Sequence, residues 1–170
     1  MKKSSRKTTA KRTVGRSWPP NMPGPMMSEI VKKMAEEILI HGEDAPFQAQ
    51  RIALLLVNYA WNQAIGFATS DVRMWKREIA KAKRKMPDLW DEFVDSDPDV
   101  LIDKLVQRKL ETHPNDERLI VGVQLAPDAR YSGGGRIRVA YVPKEQHEAF
   151  QKFPEAKQQA MLLSILNSED

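Results

Sequence analysis

Between about Pro46 and Gly66 the chain carries Phe47, Ile52, Ala53, Leu54, Leu55, Leu56, Val57, Tyr59, Ala60, Trp61, Ala64 and Ile65. Wound at 3.6 residues per turn, these side chains leave no wide polar face. A helix that is apolar nearly all round must be covered by neighbours on most sides. The segment therefore predicts the central helix of a small bundle. Its polar exceptions, Arg51, Asn58 and Asn62, stand at i, i+7 and i+11 and so share one stripe. A satisfied buried network is the simplest use for such a stripe.

Shorter amphipathic segments surround this helix. Ser28 opens one that continues through Ile30, Val31, Met34, Ile38 and Leu39, and His41-Gly42 closes it, glycine being favoured just past a helix end. Asp44-Ala45-Pro46 reads as the cap and first turn of the central helix. Thr69-Ser70-Asp71 caps a third helix that runs to about Met86, with Val72, Trp75, Ile79 and Ala82 inward. Leu89, Trp90, Phe93 and Val94 make a short turn. Asp97-Pro98 caps a further helix whose inward residues are Val100, Leu101, Leu105, Val106 and Leu110, ending near His113-Pro114.

Only one region alternates with the period of a strand. In 117–126, Leu119, Val121, Val123 and Leu125 alternate with Ile120, Gly122, Gln124 and Ala126; in 136–142, Ile137, Val139 and Tyr141 alternate with Arg136, Arg138 and Ala140. The residues 127–135 between them supply Gly133-Gly134-Gly135 and form a long hairpin loop. Two strands alone are marginal in water, so the hairpin must lie on helices or find another strand. Closing helices follow Pro143, interrupted at Pro154.

Charge divides the chain unevenly. Residues 1–27 hold seven basic side chains (Lys2, Lys3, Arg6, Lys7, Lys11, Arg12 and Arg16) and no acid, whereas residues 28–170 hold 20 basic and 23 acidic ones. The leader has little to bury and ends in Trp18-Pro19-Pro20-Asn21-Met22-Pro23-Gly24-Pro25. It is expected to be a disordered basic arm joined to the domain by an extended, proline-rich tether. Met22, Met26 and Met27 offer alternative starts that would delete it. Inside the domain the sign alternates sharply: residues 72–86 carry a net charge of +6, and residues 87–103 carry −7.

The absence of cysteine excludes disulfide scaffolds, thiolate zinc sites, iron–sulfur clusters and cysteine nucleophiles. A mean hydropathy of −0.54, with no membrane-length apolar run and no apolar core in the leader, predicts a cytoplasmic protein, nuclear in a eukaryote, with no membrane contact. His41, His113 and His147 lack a second ligand at metal spacing. Asp95-x-Asp97-x-Asp99 lacks the glycine and the glutamate of a calcium loop. No nucleophile elbow or phosphate-binding loop is present, so neither catalysis nor a metal or cofactor is expected.

Three features point instead to a polyanion. The cations of the arm can displace counterions from a phosphate backbone. Arg73, Arg77, Lys81 and Lys85 recur every four residues on one exposed line of the third helix, unless the acidic segment folds back and neutralises them. Arg136 and Arg138 share the outer hairpin face, and the loop adds Arg130 and the stacking ring of Tyr131. Helices followed by a hairpin is also the order of a winged helix, but Asp97, Asp99 and Asp103 open the preceding helix and would repel phosphates.

The expectation is a mainly α (α+β) protein: a flexible arm and tether over 1–27, then one helical domain over 28–170 with a β-hairpin at about 117–142. It acts as a small non-enzymatic accessory protein that binds DNA or RNA electrostatically, without base-specific readout. The competing expectation is a protein–protein interaction module, such as an adaptor, an immunity or inhibitor protein, or a subunit of a larger complex, which would use the opposed charge segments or a hairpin edge.

Overall fold

The structure, a computed structural model, describes residues 26–67, 72–94, 97–127 and 135–168. The arm and most of the tether, with Lys2, Lys3, Arg6, Lys7, Lys11, Arg12 and Arg16, lie outside the described residues. So do the hairpin-loop residues Arg130 and Tyr131.

Helices dominate. In chain order they are α1 (Met27–Glu36), α2 (Phe47–Ala64), α3 (Val72–Lys85), α4 (Pro98–Thr112), α5 (His147–Gln151) and α6 (Glu155–Ser168). Tight 3₁₀ turns occupy Gly42–Asp44, Pro87–Glu92 and Lys144–Gln146. Strands β1 (Arg118–Pro127) and β2 (Gly135–Pro143) pair antiparallel as a two-stranded sheet. The protein is thus a small helical bundle around α2 with one hairpin, as the periodicity predicts.

α2 is packed by α1, α4 and β1. Ala49, Ala53, Leu54, Leu56, Val57, Ala60 and Trp61 are buried, while Arg51 and Leu55 reach solvent. The start of α2 differs from the sequence expectation. Pro46 is its N-cap, and Asp44 belongs to the preceding 3₁₀ turn with no capping bond to the helix. The Gln50 side chain ties that turn down, its Nε2 donating to the carbonyls of Glu43 (2.9 Å) and Ala45 (2.7 Å). α1 also stops earlier than its apolar period suggests. Leu39 leaves the helix to form an isolated antiparallel bridge with Phe93, flanked by Ile40 N–H to the Glu92 carbonyl and Val94 N–H to the Ile38 carbonyl. Backbone pairing to a distant segment outcompetes one more helical turn.

α4 begins where Asp97-Pro98 predicts, with the Asp97 carboxylate accepting from Asp99 N–H at 2.9 Å. Its buried face is rotated from expectation: Leu101, Ile102, Leu105 and Lys109 point inward, and Val100 and Leu110 are exposed.

A bulge at Val121 changes the hairpin. The register runs Ile120 opposite Tyr141, then Gly122 opposite Ala140, so one residue is left over. A one-residue slip exchanges the faces. Ile120 therefore enters the core with Val139, supported by Val123, Leu125, Ile137 and Tyr141. Leu119 and Val121 turn the other way, toward Ile65, Phe67 and Val142. Simple alternation places Leu119 and Val121 with Val123; the bulge separates them. Helices cover both faces: α1 and α2 approach the sheet, and α6 lies across Gly122 and Ala140 through Leu162. This meets the requirement that two strands alone cannot stand in water.

Candidate functional site

α3 is the strongest cationic element. The sequence puts apolar residues on one side of it, and the structure buries Ile79 and half-buries Ala82 there. Its chief packing partner is the Pro87–Glu92 turn, where the Lys83 ammonium lies 5.8 Å from the centre of the Trp90 ring. Arg77, Lys81, Arg84 and Lys85 are all exposed. They fall at i, i+4, i+7 and i+8 and so share one face. That face extends about 12 Å at 1.5 Å per residue, roughly the axial rise of three to four nucleotides of one strand. The backbone of Arg73 lies in the same helix, but the side chains of 72–76 and 78 fall outside the described residues.

The acidic segment beside α3 divides its carboxylates among several tasks. Glu92 is half-buried and faces His41, Oε2 to Nε2 3.6 Å. Asp97 caps α4. Asp88, Asp91 and Asp103 are exposed. Acidic and basic surfaces therefore adjoin across the 87–92 turn.

Arg136 and Arg138 sit where the period-two pattern puts them, on the sheet face opposite Val139 and Tyr141, with Ala126 and Gln124 as cross-strand neighbours. They are half-buried rather than fully exposed. The hairpin packs on α1, α2 and α6, whereas α3 packs on the 87–92 turn. Among the described residues, the predicted cations of α3 and of the hairpin are thus carried by elements with different chief packing partners.

A second polar cluster escaped the sequence reading. It lies where the C-terminal ends of α2 and α4 meet the hairpin. Lys109, in the last turn of α4, is 1% exposed, with its ammonium 5.2 Å from the centre of the Trp61 ring. The His113 ring, at the C-cap of α4, lies 5.8 Å from the same indole. Trp61 Nε1 donates to the Arg118 carbonyl at 2.7 Å. Arg118 is itself buried. Its Nε donates to Asp116 Oδ1 at 2.9 Å, its Nη2 donates to Asp116 Oδ2, and its guanidinium carbon stands 5.1 Å from the centre of the Tyr141 ring. Lys144 Nζ donates to the Ile65 carbonyl at the end of α2, at 2.9 Å.

The electrostatics of this cluster follow from that geometry. Hydrogen bonding to Asp116 raises the Arg118 pKa against the effect of burial. Burial pushes the Asp116 carboxyl up, but the Arg118 hydrogen bonds and charge prevail and hold it below its ordinary value. Burial lowers Lys109; Asp116 and Glu117 oppose that shift, and the Lys144 charge adds to it. Burial also lowers His113, with Lys109, Arg118 and Arg108 acting in the same direction and Asp116 against. One signal pointed to Lys109: Leu101, Leu105 and Lys109 are spaced by four, so the buried stripe passes through the lysine. Residue-type preference, under which lysine is almost never fully buried, hid it.

Among the described residues no group of three or more His, Cys, Asp or Glu can hold a metal ion, and no helix is long and apolar enough to cross a membrane. The chain matches no family model, no curated protein and no solved structure.

Proposed function

We propose that the protein is a non-enzymatic accessory factor that holds nucleic acid by its phosphate backbone. The carrying observation is α3: four exposed cations on one face of a helix anchored to the body through Ile79 and Ala82. A rigid row of this kind neutralises successive phosphates and releases their counterions, which gives affinity without sequence preference. The seven cations of residues 1–27 extend the same chemistry, and Arg136 and Arg138, with Arg130 and Tyr131, supply a further contact on the hairpin side. On this reading the protein works in the cytoplasm, or in the nucleus of a eukaryotic cell.

The test compares the full chain with a 28–170 truncation, each bound to duplex and single-stranded oligonucleotides across a salt series. Binding by the full chain should weaken linearly on logarithmic axes, and truncation should reduce both affinity and slope while leaving the share due to α3. A full chain with no affinity at low salt defeats the proposal.

A protein-interaction module is the second reading, and it has its own support. Ile40 and Val94 flank the Leu39–Phe93 bridge at 54% and 64% exposure. Ile38 and Val100 line an open groove of about 510 Å³ between α1 and α4, bordered by the Glu37–Arg108 pair. Exposed apolar side chains beside a groove suit a protein partner. Recovery of a stoichiometric protein complex that survives nuclease and high salt favours this reading over the first.

A further inference from the structure

The groove between α1 and α4 joins apolar walls to acidic surroundings. Ile38, Leu105 and Val100 line it, and the forked Glu37–Arg108 pair, with both hydrogen bonds at 2.7 Å, closes one side. Val94 borders it as well, because its backbone N–H donates to the carbonyl of Ile38 at 3.2 Å. Val94 and Ile40 are more than half exposed, and Val100 is 39% exposed. Val94 and Val100 both belong to the segment 87–103, which has seven carboxylates and no base. Asp91, Asp97, Asp99 and Asp103 are exposed along that segment.

Such a surface selects its occupant by two properties. Branched side chains exposed beside a groove suit an apolar anchor. The carboxylates around them favour cations next to that anchor and repel an acidic peptide. One segment of this chain combines the two: Trp18 and Met22 follow Arg12 and Arg16, and residues 1–27 contain no acid. Its reach is sufficient. The eight residues from Trp18 to Met26 span about 25 Å at the polyproline rise of 3.1 Å per residue. From Met27 to Ile38 the distance along α1 and its last turn is only about 17 Å at 1.5 Å per residue. Tethering adds to the match. Through so short a linker the segment meets the groove at an effective concentration on the order of millimolar, which a second copy or a free partner at micromolar concentration does not reach.

We propose that residues 12–22 dock in cis on the α1–α4 groove, with Trp18 as the apolar anchor and Arg12 and Arg16 against the carboxylates of 87–103. Docking withdraws these cations from other polyanions, so the protein shields its own arm, and a phosphate backbone competes with the groove for it. The shielding rests on the nucleic-acid reading; the docking is independent of it.

The full chain carrying Gln107→Cys, its sole cysteine, takes a nitroxide at an exposed position of the groove wall. The indole N–H resonance of Trp18, assigned by its loss in Trp18→Ala, should lose most of its intensity relative to the reduced label. Ile40→Ser combined with Val94→Ser should restore it. Trp18→Ala, which leaves the helical domain untouched, should shift the methyl resonances of Val94 and Val100, and this readout decides if the double variant does not fold. Isotope-labelled chain mixed with nitroxide-bearing chain separates the occupants: broadening of Trp18 in the mixture makes a second copy the occupant and overturns docking in cis. A Trp18 resonance that stays sharp beside the nitroxide, or methyl resonances unmoved by Trp18→Ala, also overturns it. Duplex oligonucleotide added to the labelled chain should sharpen Trp18. A bound duplex that leaves the broadening unchanged overturns the shielding, whereas a duplex that does not bind counts against the nucleic-acid reading alone.

Discussion

The side-chain amide of Asn62 grips the backbone of Ile120 from both sides: Nδ2 donates to the Ile120 carbonyl at 2.8 Å, and Oδ1 accepts from the Ile120 N–H at 3.0 Å. In a two-stranded sheet each strand has an outer edge with unpaired donors and acceptors. Here a side chain of the central helix acts as a third strand for one residue, just before the bulge. Trp61 adds a single bond two residues earlier, its Nε1 donating to the Arg118 carbonyl. The polar stripe noted in the sequence therefore has a structural role at its Asn62 end, and strand addition at this part of β1 is blocked.

Replacing Asn62 by leucine leaves both polar groups of Ile120 buried without partners. Each orphaned group costs about 1–3 kcal/mol, so Asn62→Leu should destabilise the fold by roughly 2–6 kcal/mol. Urea unfolding followed by circular dichroism measures this. A loss within about 0.5 kcal/mol, the range of an ordinary surface substitution, means that the amide grip is not needed.

Two glycines should respond in opposite ways. Gly66, just past the end of α2, has φ +77°, a conformation L-residues adopt only at a cost. Gly66→Ala should lose about 1 kcal/mol, although nothing lies within 4 Å of a Cβ added there. At Gly122 an added Cβ meets Ala140 Cβ at 3.7 Å and Leu162 Cδ2 at 3.8 Å, which is ordinary contact distance. Gly122→Ala should be neutral or slightly stabilising. Melting temperatures of the two variants decide, and the reverse order contradicts the backbone argument.

Acid should weaken the fold before any carboxylate is protonated. His147 is buried, with its ring 4.2 Å from that of Phe67 and no partner for Nδ1. Burial holds its pKa below the ordinary value, with Glu148 opposing, and His113 shifts in the same direction. Because these folded-state values lie below the unfolded one, the unfolded chain binds more protons as the pH falls. Stability is complete above the unfolded value of roughly 6.5 and is lost as the pH drops through it toward the folded values. Melting temperature measured from about pH 7.5 down to 5 should fall, and His147→Phe should flatten part of that slope. A slope identical in the variant excludes His147 as a source.

Charge reversal on α3 tests the nucleic-acid proposal without touching the core. Arg77, Lys81, Arg84 and Lys85 are exposed, so changing all four to glutamate should leave the far-UV circular dichroism of the fold unchanged. The magnitude of the salt slope for duplex binding should drop by about 0.9 for each phosphate contact removed. An unchanged slope moves the contact to residues 1–27 alone. An unchanged slope together with unchanged affinity in the 28–170 truncation leaves neither element a role.

The sequence by itself determined the elements and the center of the fold. The all-round apolar character of 46–66, the Asp97-Pro98 cap, the alternation at 119–125 and 137–141 and the interruption at Pro154 are local patterns, each written in the period of its own element. The exposure of Arg77, Lys81 and Lys85 was legible for the same reason. Tertiary structure decided what depends on a second segment. Phe93 ends α1 early by drawing Leu39 into a bridge, and a leftover residue at Val121 sends Ile120 rather than Leu119 and Val121 into the shared core. The cluster of Lys109, Trp61, His113, Arg118 and Lys144 exists only because the ends of α2 and α4 meet the hairpin. Local periodicity cannot report such meetings, because burial of a charge is set by what arrives from elsewhere in the chain to cover it.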